Sequence, residues 1–244
     1  RIMITKSVVK DIQSLAAKKY RDQSGLFLAE GPKVVGELLR DCPHAIKKIY
    51  ALETWIQQQK KIDPAIQLTS VTTADLVHLS QLTTPHEVVA VVAQLPQQKL
   101  EVDNGLIVVC CGIQDPGNFG TILRTADWFG VSQVVCSIDT VDVYNPKVVQ
   151  ATMGSVARLA VHYMDLEPWL KEQQLPIYGA VLNGKPLYEI ARSQQGILLI
   201  GNEAKGVPAA LLTNQVVGIT IPRVGGAESL NAAVATGILL SWLS

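Results

Sequence analysis

Between residues 105 and 243, short apolar runs alternate regularly with segments of helical periodicity. This alternation constrains the fold more than any other feature of the chain. The runs 105–111, 133–137, 176–182, 196–201 and 217–221 are rich in Val, Ile and Leu, and the stretches 119–129, 146–152, 167–174, 208–214 and 229–243 space their apolar residues for helices. An uninterrupted apolar run such as LIVVCC at 106–111 suits a strand buried on both faces. The pattern predicts an α/β fold with a largely parallel sheet, whose ligands bind where the strands end at their carboxyl edges.

The front of the chain reads as a smaller α/β unit. A helix is predicted over 6–20 from Val8, Val9, Ile12, Leu15 and Ala16, a strand over 26–29, and a helix opened by Gly31-Pro32. A strand at 46–51, a helix at 52–61, a helix beginning near Thr73 and a valine-rich strand at 87–93 complete it. The polar, proline-bearing stretch 94–104 (QLPQQKLEVDN) is the best linker, dividing the chain into 1–97 and 98–244.

Hydrophobic residues make up 48% of the chain and charged ones 17%, which excludes a disordered chain. No apolar stretch is long enough to cross a bilayer as a helix, and no secretory leader is evident at the start, so no membrane partner is expected. Cys42, Cys110, Cys111 and Cys136 form no CxxC pair and lie far from zinc-finger spacing, so they read as buried thiols in a reducing, cytoplasmic setting, with no metal. The zero net charge hides an asymmetry. Residues 1–99 hold 13 Lys/Arg against 9 Asp/Glu, and residues 100–244 hold 8 against 12. The basic half could meet phosphate through Lys6, Lys10, Lys18, Lys19, Arg21, Lys33, Lys47 and Lys48, or could be an ordinary solvated surface.

Three loops of the second half carry unusual sequences: GIQDPGNFG at 112–120, GNEAKGVP at 201–208 and IPRVGGAESLN at 221–231. The glycines of the first are not at dinucleotide-binding spacing, so an oxidoreductase is disfavoured; a phosphate-binding GxxxxGK[ST] loop and a GxSxG nucleophile elbow do not occur. His162 reads as a strand-edge residue rather than a base. Arg124 falls among Ile122, Leu123 and Ala126 on a helix, six residues beyond Asn118. An arginine in such company is either an anion clamp or a structural ion pair with Asp127 or Glu203.

The runs DPGNFGTILRTADWFG, GNEAKGVP and IPRVGGAESLNAAVATG, in that order, resemble the three motifs of the SpoU/TrmH family of RNA ribose 2′-O-methyltransferases, in the SPOUT superfamily. GLFLAEGPKVVGELL at 25–39 is similar to the opening of that family's substrate-binding domain. The resemblance implies an RNA-binding front domain and a methyltransferase domain with a deep trefoil knot. It implies S-adenosylmethionine as cofactor, a homodimer with its active site near the subunit interface, and an RNA substrate, ribosomal RNA before tRNA. Arg124, Asn118, Glu203 and Asn231 match its active-site positions. Gly201, Ile221 and Leu230 match positions holding the cofactor's adenine, and Ser229 joins that set or simply caps the last helix. Asn118 would fix Arg124 or the ribose, or act as a helix cap, and Glu203 would orient Arg124 or bond RNA. In NPKVVQATMG (145–154), Gln150 and Thr152 replace the family's usual Arg and Ser, which implies a weaker RNA contact there. A non-catalytic RNA-binding protein that retains the fold is the alternative.

Overall fold

Over the residues that the computed structural model describes, 4–59, 61–102 and 105–244, the chain forms two units. The first contains the described residues up to Pro96 together with Asp142–Ala157, and the second contains Gln97–Val141 and Arg158–Ser244. This division by contacts differs from a single cut at 97/98 in grouping 142–157 with the first unit. The last two residues of the expected linker 94–104, and Lys60 of the expected helix 52–61, lie outside the described residues.

In the first unit, the helix expected over 6–20 is broken into α1 (Lys6–Ser14) and α2 (Lys18–Ser24). Arg21 supplies the reason. Its Nη1 donates to the carbonyls of Leu15 at 2.9 Å and Ala16 at 2.8 Å, which a continuous helix would have committed to the N–H groups four residues on. Next come β1 (Leu26–Glu30) and α3 (Pro32–Asp41), then β2 (Ile46–Ala51), α4 (Glu53–Gln58) and β3 (Gln67–Ser70), and finally α5 (Thr73–Leu79) and β4 (Val88–Ala93). Thr72 and Asp75 cap α5 reciprocally. The sheet order is β1-β4-β2-β3, antiparallel except for β2 with β3. Ile12 of α1, Leu15 at its C-terminal cap, and Leu76 and Leu79 of α5 pack with Leu28, Tyr50 and Val89 of the strands. Each such side chain contributes roughly 1.5–3 kcal/mol on burial.

The segment 142–157 joins this unit through specific contacts. Arg21 Nε and Nη2 donate to Asp142 Oδ2 at 3.0 and 2.6 Å. Tyr144 stacks on Phe27 with centroids 4.6 Å apart, and its hydroxyl accepts from Leu95 N at 2.9 Å. In the second unit, β5 (Leu106–Cys111) leads to α6 (Pro116–Trp128) and β6 (Gln133–Ser137). Helix α7 (Pro146–Thr152) belongs to the first unit and packs on β1. Thr152 is fully buried, with its hydroxyl donating to Val149 O at 2.7 Å, so this departure from the family pattern is an interior residue rather than an RNA contact.

The second unit continues with β7 (Ala160–Met164), α8 (Leu166–Lys171), β8 (Ile177–Pro186), β9 (Gly196–Gly201), β10 (Val216–Thr220) and α9 (Ala232–Leu243). Its sheet runs β10-β8-β9-β5-β6-β7, with every pairing parallel. All six residues of β5 are buried, as the unbroken apolar run requires. The helix expected over 208–214 shortens to a single turn at Ala209–Leu211 that seats Leu211 in the core. Strand β7 was anticipated only through His162, without its range. Its His162 is buried, with Nε2 2.9 Å from Gln133 Oε1 and Nδ1 2.9 Å from Gln97 Nε2. The four cysteines are buried and free, and burial pushes the thiols of Cys111 and Cys136 upward, so they stay protonated. Among the described residues no helix is long and apolar enough to cross a membrane.

Candidate active site

Strands β5 and β9 are neighbours, yet the chain leaves β5 toward β6 on one side and β9 toward β10 on the other. Such a reversal opens a crevice at the carboxyl ends of a parallel sheet. The loops at 112–115 and 202–206 begin there, and the loop at 221–230 follows β10 into α9. Helix α6 starts three residues earlier than its apolar spacing suggested. Pro116 occupies its first turn and Asp115 Oδ1 accepts from Asn118 N at 2.7 Å. Helix α9 is capped by Asn231, not Ser229: Asn231 Oδ1 accepts from Ala233 N at 2.9 Å and Val234 N at 3.3 Å.

These caps fix the direction of a hydrogen-bonded chain. With its oxygen committed to α9, Asn231 presents Nδ2 to Asn118 Oδ1 at 2.8 Å. Asn118 must then turn its own Nδ2 outward, and it donates to Glu203 Oε1. Three of the four expected active-site residues are thereby brought together from the first turn of α6, the 202–206 loop and the cap of α9. Arg124 stands apart. It is exposed on the face of α6 shared with Thr121 and Trp128, and no hydrogen-bond or ion-pair partner for it is present among the described residues. The expected pairings of Arg124 with Asp127, Glu203 or Asn118 are corrected: Asp127 Oδ2 binds Arg158 at 2.7 Å, while Glu203 and Asn118 bind each other.

A cavity of about 870 Å³ lies in the same unit, lined by Gly201, Glu203, Ile221, Ser229 and Leu230 among others. Its volume is that of a site for a nucleoside-sized ligand. Leu230 is 46% exposed, leaving apolar surface for a ligand to cover. Gly201 has no alternative here, because a Cβ on it would stand 2.0 Å from the carbonyl carbon of Gly206. All four expected cofactor residues line this cavity, and Glu203 belongs to both the lining and the amide chain. Sequence reasoning missed Asn202, whose Nδ2 donates to Gly112 O at 2.9 Å. Its place inside GNEAKG was the only available signal. Among the described residues no group of three or more His, Cys, Asp or Glu could hold a metal ion.

Residues 105–241 match the SpoU rRNA Methylase family, and residues 6–90 match an MRM3-like substrate binding domain. The chain belongs to the SpoU rRNA methylase family. Among SpoU relatives, the 23S rRNA (guanosine(2553)-2′-O)-methyltransferase RlmP of Bacillus subtilis is 35% identical over 237 residues, 95% of this chain and 94% of that one. The 23S rRNA (uridine(2479)-2′-O)-methyltransferase of Streptomyces viridochromogenes is 33% identical over 170 residues, 64% of this chain and 59% of that one. The AdoMet-bound rRNA methyltransferase of Sinorhizobium meliloti has a solved structure that superposes with a TM-score of 0.85 at 30% identity, covering 99% of this chain and 95% of that one.

Proposed function

We infer that the protein transfers a methyl group from S-adenosylmethionine to the ribose 2′-hydroxyl of ribosomal RNA. The observation that carries this reading is the double membership of Glu203. The cavity and the Asn118–Asn231 amide chain share that residue, so cofactor pocket and polar cluster have a common wall. Apolar side chains at Ile221 and Leu230 and the glycine-tight backbone at 201–206 fit an adenosyl group. When bound, S-adenosylmethionine supplies a methyl already activated on a sulfonium.

The chain itself must orient the hydroxyl and favour its charged form. Arg124 offers an exposed guanidinium with no partner among the described residues, suited to gripping an RNA phosphate and to stabilising the forming alkoxide. Its part is orientation and electrostatic stabilisation, with proton loss to phosphate or water. Asn118, Glu203 and Asn231 hold the ribose side of the site, while Gly201, Ile221, Ser229 and Leu230 hold the cofactor.

The finer features follow the same reading. Residues 1–97 bind RNA and 98–244 carry the chemistry, with 142–157 as an insertion of the catalytic sequence into the front fold. The C-terminal segment threads a deep knot, as the resemblance of its three motifs to the SPOUT superfamily implies. A homodimer covers α9, which is apolar around its circumference, and Trp128, which is 83% exposed on α6. The enzyme works in the cytoplasm, where ribosomal RNA and reduced thiols coincide. The test is transfer of labelled methyl from S-adenosylmethionine to 23S rRNA lacking its 2′-O-methyl groups, followed by nucleoside mapping. One labelled 2′-O-methyl nucleoside is expected. RNA and cofactor binding without transfer would identify a binding protein instead.

A further inference from the structure

The residue after Glu203's anchor strand has a task of its own. Strands β5 and β9 pair in register up to Cys111 and Gly201, so Gly112 and Asn202 are the first residues beyond the sheet on each side. Asn202 Nδ2 donates to Gly112 O at 2.9 Å, while its Oδ1 accepts from Ala204 N at 2.9 Å and Lys205 N at 3.4 Å. Its backbone carbonyl accepts from Gly206 N at 2.8 Å, closing the loop. From the opposite side, Gly112 N donates to Ser137 Oγ at 2.8 Å. Both polar groups of Gly112 are thus held by side chains from the ends of the two flanking strands. Gly112 has φ +67°, so a residue with a side chain would be strained there, and its Cβ would stand 3.1 Å from Asp139 Oδ2.

We propose that Asn202 is a positioning residue for methyl transfer, locking the loop that carries Glu203 to the loop after β5; this rests on the function inferred above. Residues 203–206 are exposed, so packing does not hold them. The hydrogen bonds of Asn202 do. The site requires a group that accepts at one end and donates at the other. Aspartate would set oxygen against the Gly112 carbonyl, and serine would lose the second arm. Glu203, one residue on, takes its direction toward Asn118 from this turn.

The experiment measures methylation of 23S rRNA by the full chain, with Asn202→Asp and Asn202→Ser beside wild type. S-adenosylhomocysteine binding is followed by calorimetry and folding by thermal melt. The expected result is a folded protein whose kcat falls roughly ten- to a hundredfold with KM for RNA unchanged, as slight misplacement of a reacting constellation produces. In a Glu203→Ala background, Asn202→Asp should cost no more than about a further twofold, because its route of action is already cut. Wild-type kcat in either folded variant overturns the proposal. So does a full additional loss on top of Glu203→Ala, or failure of both variants to fold, either of which assigns Asn202 to structure alone. Absence of transfer by wild type overturns the function itself and this role with it.

Discussion

Arg21 and Arg124 mark opposite uses of one side chain in the two units. Arg21, 1% exposed, gives its guanidinium to Asp142 and to the carbonyls of Leu15 and Ala16. Arg124 is exposed, with no internal partner among the described residues. The first unit also keeps Glu30 inside, accepting from Ser80 Oγ and Gln81 N, with burial pushing its pKa upward. The second unit joins the half-buried Asn118 of α6 side chain to side chain with the exposed Glu203 and Asn231. A buried charge that is fully matched builds a fold, while an exposed cation without a partner is available to a ligand. Arg21 is therefore a structural residue and no phosphate contact, although its sequence neighbourhood is as basic as any in the chain.

The sharpest test of this contrast is Arg21→Leu. It strands Asp142 and two carbonyls, and stability in urea should fall by about 3–5 kcal/mol. Adding Asp142→Leu should restore much of the loss; if it does not, the ion pair is not what binds 142–157 to its unit. Arg124→Ala should leave the melt near wild type while single-turnover methylation slows roughly a hundred- to a thousandfold. Arg124→Lys keeps the charge without the planar fork and should stay strongly impaired. A folded Arg124→Ala enzyme of normal rate would erase the distinction between the two arginines.

The smallest effect concerns His162. Burial holds it below its ordinary 6.5, so the unfolded chain binds its proton more readily. Its neutral form supports the fold fully above pH 6.5, and that support drains away as pH falls below 6.5 toward the lower folded value. The slope is at most about 1.4 kcal/mol per pH unit. Urea midpoints at pH 7.5 and 5.5 should converge in His162→Gln relative to wild type.

The strands of the central sheet were legible because β5, β6 and β9 are apolar without interruption. The range of strand β7 (AVHYM) was not, since its buried histidine is satisfied by two glutamines that sequence cannot place beside it. The break between α1 and α2 was hidden for the same reason: an arginine 121 residues from Asp142 takes the helix's own carbonyls. At the candidate site the residue types were readable, but their pairing was not. Asn118 and Asn231 are 113 positions apart, and only the folded chain shows that their amides meet each other rather than Arg124.

The excursion of Asp142–Ala157 into the first unit bears on the order in which the nascent chain can mature. All four strands of the front sheet have left the ribosome once Ala93 has emerged, but Asp142 follows only about fifty residues later, a delay of several seconds at usual rates of synthesis. Until then Arg21 lacks its counter-ion and Phe27 its stacking partner. The front module is completed only after β5, α6 and β6 have been translated, so its final consolidation is timed by the first third of the methyltransferase sequence.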